Sequence, residues 1–181
     1  VSVTTGVQNT LLGGLAGAAL TDADQNVAIG YAALGADTLG SRSVAIGRSA
    51  LEIQNFTTAT NTYNIAIGYD TGAKITTGVQ NTIVGGLAGD AVTTASNNVI
   101  LGYDAGGGLT TGSSNVFVGR GAGLSTTTST FNTLLGQDCV STSATAGESN
   151  GLGFGVQAAS GYTTIGITSS DIRAAHGNIT W

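Results

Sequence analysis

The sequence predicts an all-β fold, a parallel β-solenoid or β-roll. Three observations predict it: a fixed short period, columns of branched aliphatics within that period, and no segment of helical period. Gly13, Gly30 and Gly47 are seventeen residues apart, and a step of twenty-one then reaches Gly68. Gly85, Gly102, Gly119, Gly136 and Gly153 resume the seventeen, and a step of thirteen reaches Gly166. Four residues before the first nine stand Asn9, Asn26, Ser43, Asn64, Asn81, Asn98, Asn115, Asn132 and Ser149, with Tyr162 before the tenth. The segment TTGVQNTLLGGLAGAALT from Thr4 returns as TTGVQNTIVGGLAGDAVT from Thr76. Self-similarity at a short fixed period marks a repeat architecture. Seventeen residues are too few for a pair of packed helices and suit one coil of about ten. The repeats therefore define one domain over 1–166 and leave 167–181 as a post-repeat segment.

The columns assign faces. Three residues after the asparagine lie Leu12, Ile29, Ile46, Ile67, Val84, Leu101, Val118, Leu135, Leu152 and Ile165, all branched aliphatics expected to point into the coil. Two residues earlier, on the same face by alternation, the column is mostly β-branched, as at Val27, Val44, Ile65 and Val99. Between them Leu11, Ala28, Ala45, Ala66, Ile83, Ile100, Phe117 and Leu134 are expected on the outer face. That face is apolar as well, and a strand apolar on both faces needs a cover. With no helix to supply it, the expected cover is another copy of the chain. Small residues three past the glycine, Ala16 to Ala122 with Cys139 in the same column, fit a packed interior, so Cys139 is expected to stand in for alanine. Columns of threonine, Thr4, Thr21, Thr76, Thr93 and Thr110 beside Thr5, Thr77, Thr94 and Thr111, predict a second short strand in each coil. Stacked asparagines are expected to form an amide ladder up the coils: Asn9, Asn26, Asn64, Asn81, Asn98, Asn115 and Asn132.

Composition narrows the function. With 41% hydrophobic and 8% charged residues the chain is folded, not disordered. A net charge of -5 with five scattered cations speaks against nucleic acid. No apolar run has the length of a membrane span, and no signal-peptide pattern opens the chain, which starts inside a repeat as a piece of a longer protein would. No catalytic site, metal site or cofactor is expected. The single histidine, His176, lies outside the repeats, so no serine or cysteine nucleophile there has an imidazole base. Asp70, Asp104 and Asp138 recur two coils apart, about 10 Å, which reads as a solvated acidic stripe.

The units NVAIGYAAL at Asn26, SVAIGRSAL at Ser43 and NIAIGYDTG at Asn64 resemble the head repeats of trimeric autotransporter adhesins. They are equally similar to the longer-period variants in phage tail fibres and related viral fibre proteins, and the period of seventeen favours the viral variants. The resemblance covers Val3 to Gly166. It implies a left-handed parallel β-roll assembled as a side-by-side homotrimer, a structural and host-recognition segment on a virion. The alternatives are a bacterial surface adhesin head and an ice-binding solenoid. In such fibres a segment like SSDIRAAHGNITW from Ser169 precedes a self-cleaving intramolecular chaperone, and the release junction is expected beyond Trp181. The partner implied is a host surface receptor, with glycans among the candidates. The expected contact loop is the expanded coil between Gly47 and Gly68, four residues longer than the others, which carries Phe56, Thr57, Thr58 and Tyr63. An insertion has to leave a stack whose period is fixed by its neighbours.

Overall fold

The structure, a computed structural model, describes residues 3–168 and 170–176. None of these is helical. Each coil places three residues in one long sheet: β1 (Thr10–Leu12), β2 (Val27–Ile29), then, past a two-residue strand β3 (Gly40–Ser41), β4 (Val44–Ile46). After β5 (Thr60–Asn61) come β6 (Ile65–Ile67), β7 (Thr82–Val84), β8 (Val99–Leu101), β9 (Val116–Val118) and β10 (Thr133–Leu135). The chain finishes with β11 (Val140–Ser141), β12 (Asn150–Leu152), β13 (Gln157–Ala158), β14 (Tyr162–Ile167) and β15 (Ser170–Ala175). The long sheet has eleven strands, ordered β1-β2-β4-β6-β7-β8-β9-β10-β12-β14-β15. Every pairing in it is parallel except β14 with β15. The architecture is thus a parallel β-solenoid with a stacking register of one repeat, Val99 opposite Val116 and Ile100 opposite Phe117.

The faces are the reverse of those the columns predict. Ala28, Ala45, Ala66, Ile83, Ile100, Phe117 and Leu134, expected outside, are buried in the coil. Ile67 is 37% exposed and Leu12 65%, and Leu101 is half-buried, although all three are expected inside. The asparagine explains the inversion. It is itself buried, and alternation puts the residue two further along on its side of the strand.

The interior is narrow, so side chains facing each other across a coil complement in size. Ala28 and Ala45 are followed six residues later by the buried Leu34 and Leu51. Phe117 is followed instead by Gly123, where an added Cβ would stand 2.5 Å from the Phe117 ring. Leu11 and Gly17 make the same pair, with an added Cβ 2.7 Å from a Leu11 methyl. Such pairing keeps an interior at close-packed density, where either an empty or an overfilled site costs stability.

Tight winding also needs left-handed backbone in every coil. The residue before the asparagine has φ near +60° throughout, from Gln25 (58°) to Phe131 (59°), and so does the residue two past the glycine, such as Leu87 (59°) and Asp104 (55°). Non-glycine residues rarely take this conformation, at a cost of about 1–2 kcal/mol each. The repeat glycines have φ near +130°, as at Gly102 (134°), where an added Cβ would meet the Gly119 carbonyl oxygen at 2.6 Å. Glycine is required there on both counts.

The second strand expected at the threonines does not form at those columns. Among the described residues the extra pairings are β3 with β5, where β3 starts two residues past Thr38, and β11 with β13, where β11 starts four residues past the repeat glycine. The threonine columns themselves are hydrogen-bonded bends. Past the repeats, β15 folds back antiparallel on β14 and covers the edge of the last repeat strand. The junction expected beyond Trp181, with Gly177–Trp181 before it, lies outside the described residues.

Candidate attachment surface

Backbone pairing locates the insertion in the expanded coil. The Leu39 N–H donates to the Phe56 carbonyl (3.1 Å) and the Leu39 carbonyl accepts from the Thr60 N–H (3.3 Å), so one residue of the coil below faces both. Thr57, Thr58 and Ala59 between them leave the stack and are exposed. Phe56, expected on that loop, is only 7% exposed and offers no ring to a partner. Its backbone is used to hold the loop base: the N–H donates to Asp37 Oδ1 (3.0 Å), and the carbonyl accepts from Thr38 Oγ1 (2.8 Å). Asp37 is fully buried and also accepts from the Gly40 N–H (3.0 Å) and from Gln54 Nε2 (2.6 Å). A charge-assisted acceptor with three donors is a strong anchor. Sequence reasoning passed over Asp37 and Gln54. Their signal was a polar pair in a column that is aliphatic on either side of them, at Leu20, Ile75, Val92 and Leu109.

Tyr63 is exposed on the far side of the loop. Arg42 lies over its ring, 5.6 Å from the centroid, and donates to its hydroxyl at 2.6 Å. The structure therefore brings Tyr63 together with Arg42, not with Phe56. Thr57 and Thr58 form the loop tip.

The polar columns are occupied by the stack itself. Asn98 Oδ1 accepts from both the N–H (2.9 Å) and the side-chain amide (3.1 Å) of Asn115, and Asn115 Oδ1 does the same for Asn132 (3.0 and 2.8 Å). The amides from Asn9 to Asn115 also donate to a backbone carbonyl fourteen residues on, as from Asn81 Nδ2 to the Ala95 carbonyl (2.9 Å). The first threonine column donates to the next coil's carbonyl, Thr93 Oγ1 to Thr110 O and Thr110 Oγ1 to Thr127 O, both 3.1 Å. Its hydroxyls are not free for a ligand. The second column, with Thr77, Thr94 and Thr111, is exposed.

Cys139 is fully buried and desolvation pushes its thiol up to about 11, so it carries no thiolate at neutral pH. Asp70 pairs with Arg48 (3.2 Å) and Asp138 with Arg120 (2.7 Å). Between Asp70 and Asp104, burial pushes the Asp90 carboxyl above the ordinary range. Lys74 opposes that rise, and the two neighbouring carboxylates add to it. Among the described residues no group of three or more His, Cys, Asp or Glu side chains is placed to hold a metal. His176 Nε2 lies 3.1 Å from Asn150 Nδ2 and 3.3 Å from Thr163 Oγ1. Asp171 accepts from Arg173 Nε at 2.9 Å.

The outer face of the long sheet is apolar along its length. Every residue of its two columns is partly or fully exposed, among them Ile65 (37%), Val99 (36%) and Leu152 (48%). No protein-family model matches this chain. No curated protein or solved structure matches it either. What the surface does is therefore argued from its own residues.

Proposed function

We propose that this chain is a structural segment of a trimeric attachment fibre, a phage or viral tail fibre, in which three copies pack side by side and present their remaining surface to a host cell. The observation that carries the reading is the outward face of the long sheet. Its column through Ile29, Ile46, Ile67, Val84 and Leu101 is aliphatic on every parallel strand, and the Val27, Val44, Ile65, Val99 and Val116 column beside it, interrupted by Thr82, widens it into an aliphatic strip. With an inter-strand spacing of about 4.8 Å, ten strands make the strip about 45 Å long. Soluble monomers rarely leave a contiguous apolar patch of such extent in water. A second and third copy of the same strip supply a cover matched in length and chemistry, which is the arrangement that the resemblance to adhesin-head and fibre repeats implies.

Sedimentation equilibrium of the native chain tests the assembly. The expected mass is about three times the 17.7 kDa of one chain, and a stable soluble monomer would overturn the reading. Attachment is checked separately by the adhesion of fluorescently labelled chain to a panel of bacterial cells. Binding to no cell type would leave a shaft without a recognition role.

A further inference from the structure

The residue after the repeat glycine forms a column bordering the apolar strip. In it Tyr31, Tyr69 and Tyr103 fall on every second coil, and Phe154 lies nearer the C-terminal end. All four are large aromatics left more than half exposed, from 51% to 57%. The three tyrosine rings are not loose. Ring carbons of Tyr31 lie 3.4 and 3.9 Å from where a Cβ on Gly14 would stand, and those of Tyr103 lie 3.7 and 4.0 Å from the same position on Gly86. Tyr69 is held by Arg48, whose guanidinium sits 5.3 Å from the ring centroid and donates to the hydroxyl at 3.1 Å. Each ring thus rests on the preceding coil. Asp70 and Asp104 follow Tyr69 and Tyr103 directly, so a tyrosine–carboxylate pair recurs at two coil spacings, about 10 Å.

We infer that this column is a binding stripe for an extended, neutral, β-1,4-linked polysaccharide. A pyranose ring has a face of C–H bonds that packs on an aromatic ring, and a rim of hydroxyls that donate to carboxylates, which only accept. In an extended 1,4-linked chain successive rings alternate in orientation, so the same face returns every two sugars, about the spacing of the tyrosines. Rings already seated on the preceding coil lose little freedom when a ligand docks, which favours binding. The choice of a neutral polymer follows from charge. The chain carries a net -5, and the two arginines in this column, Arg48 and Arg120, are already paired with Asp70 and Asp138. The inference rests on the attachment reading above and names the ligand class for it.

Isothermal titration of the native chain with cellohexaose tests it, with maltohexaose as a probe of the same composition and curved shape. The expected result is binding of cellohexaose at least tenfold tighter than of maltohexaose, and an at least tenfold loss in the Tyr69→Ala/Tyr103→Ala variant. Circular dichroism and sedimentation should be unchanged in that variant, because both rings lie outside the core. A native chain that ignores cellohexaose, or a folded double variant that binds it as the native chain does, overturns the stripe. Sedimentation of the same samples separates the two readings. A trimer that binds no cellohexaose overturns the stripe alone, while a monomer whose binding is lost in the double variant upholds the stripe and overturns the trimer.

Discussion

The coils from Thr76 to Asn132 and the coil from Ser43 to Asn64 solve the same problem by different means. In the regular stretch the interior is apolar as far as Leu109, with Ile83 and Ile100 against Val92 and Leu109, and the asparagine ladder runs unbroken. In the expanded coil Ser43 occupies the ladder position and cannot reach its neighbours as an amide would. Polar side chains from the opposite wall take over. Gln54 Nε2 donates to Ser43 Oγ (3.0 Å), Gln54 Oε1 accepts from Asn64 Nδ2 (2.8 Å), and Thr62 and Ser43 share a hydroxyl–hydroxyl bond. The other serine of the ladder behaves alike, with Ser141 Oγ 3.0 Å from Ser149 Oγ. Both substituted coils border one of the short extra sheets, β3 with β5 and β11 with β13. A solenoid coil tolerates a missing ladder amide or an insertion when the buried polar groups left behind find partners.

Three substitutions test that contrast by urea unfolding. The largest effect is expected in the regular stretch. Ile83→Asp places an unpaired carboxylate beside Val92 and Ile100 in the apolar core and should cost several kcal/mol, enough to lose the cooperative transition. If stability instead changes by less than about 1 kcal/mol, the face assignment is wrong. Next, Asp37→Ala strands the Gly40 and Phe56 N–H groups and the Gln54 amide, for an expected loss of about 3 kcal/mol. Asn98→Ala, which removes one rung from an otherwise intact ladder, should cost about 2 kcal/mol. A ranking in which Asn98→Ala is the more damaging of the two would mean that the expanded coil does not depend on its polar anchor. The smallest effect is expected from deleting Thr57–Thr60, which restores the seventeen-residue spacing and removes no buried side chain. Its stability should lie within about 1 kcal/mol of the parent, because loop length contributes only weakly. A larger loss would show that the loop tip is part of the packed coil.

Period, parallel stacking and the site of the insertion were legible in the sequence, because each repeats as an identity: Gly13 to Gly153, Asn81 to Asn132, and one coil with four residues too many. The direction of the faces was not. Both Ile29 and Ala28 columns are apolar, and hydrophobicity alone cannot choose between two apolar faces of one strand. The clue was present in the asparagine, whose laddered amide has to be inside and therefore carries the residue two further on with it. Phe56 was misplaced for a related reason. An aromatic residue beside an insertion reads as exposed until the backbone pairing of Leu39 shows that the insertion starts one residue later. The sequence by itself determined a β-solenoid, its pitch and its register, since these follow from spacing along one chain. Only the tertiary structure decided which face is the core, which glycines make room for which side chains, and that Asp37 and Gln54 secure the expanded coil. Those outcomes depend on the width of a closed coil and on partners arriving from its opposite wall, and neither is written in any single repeat.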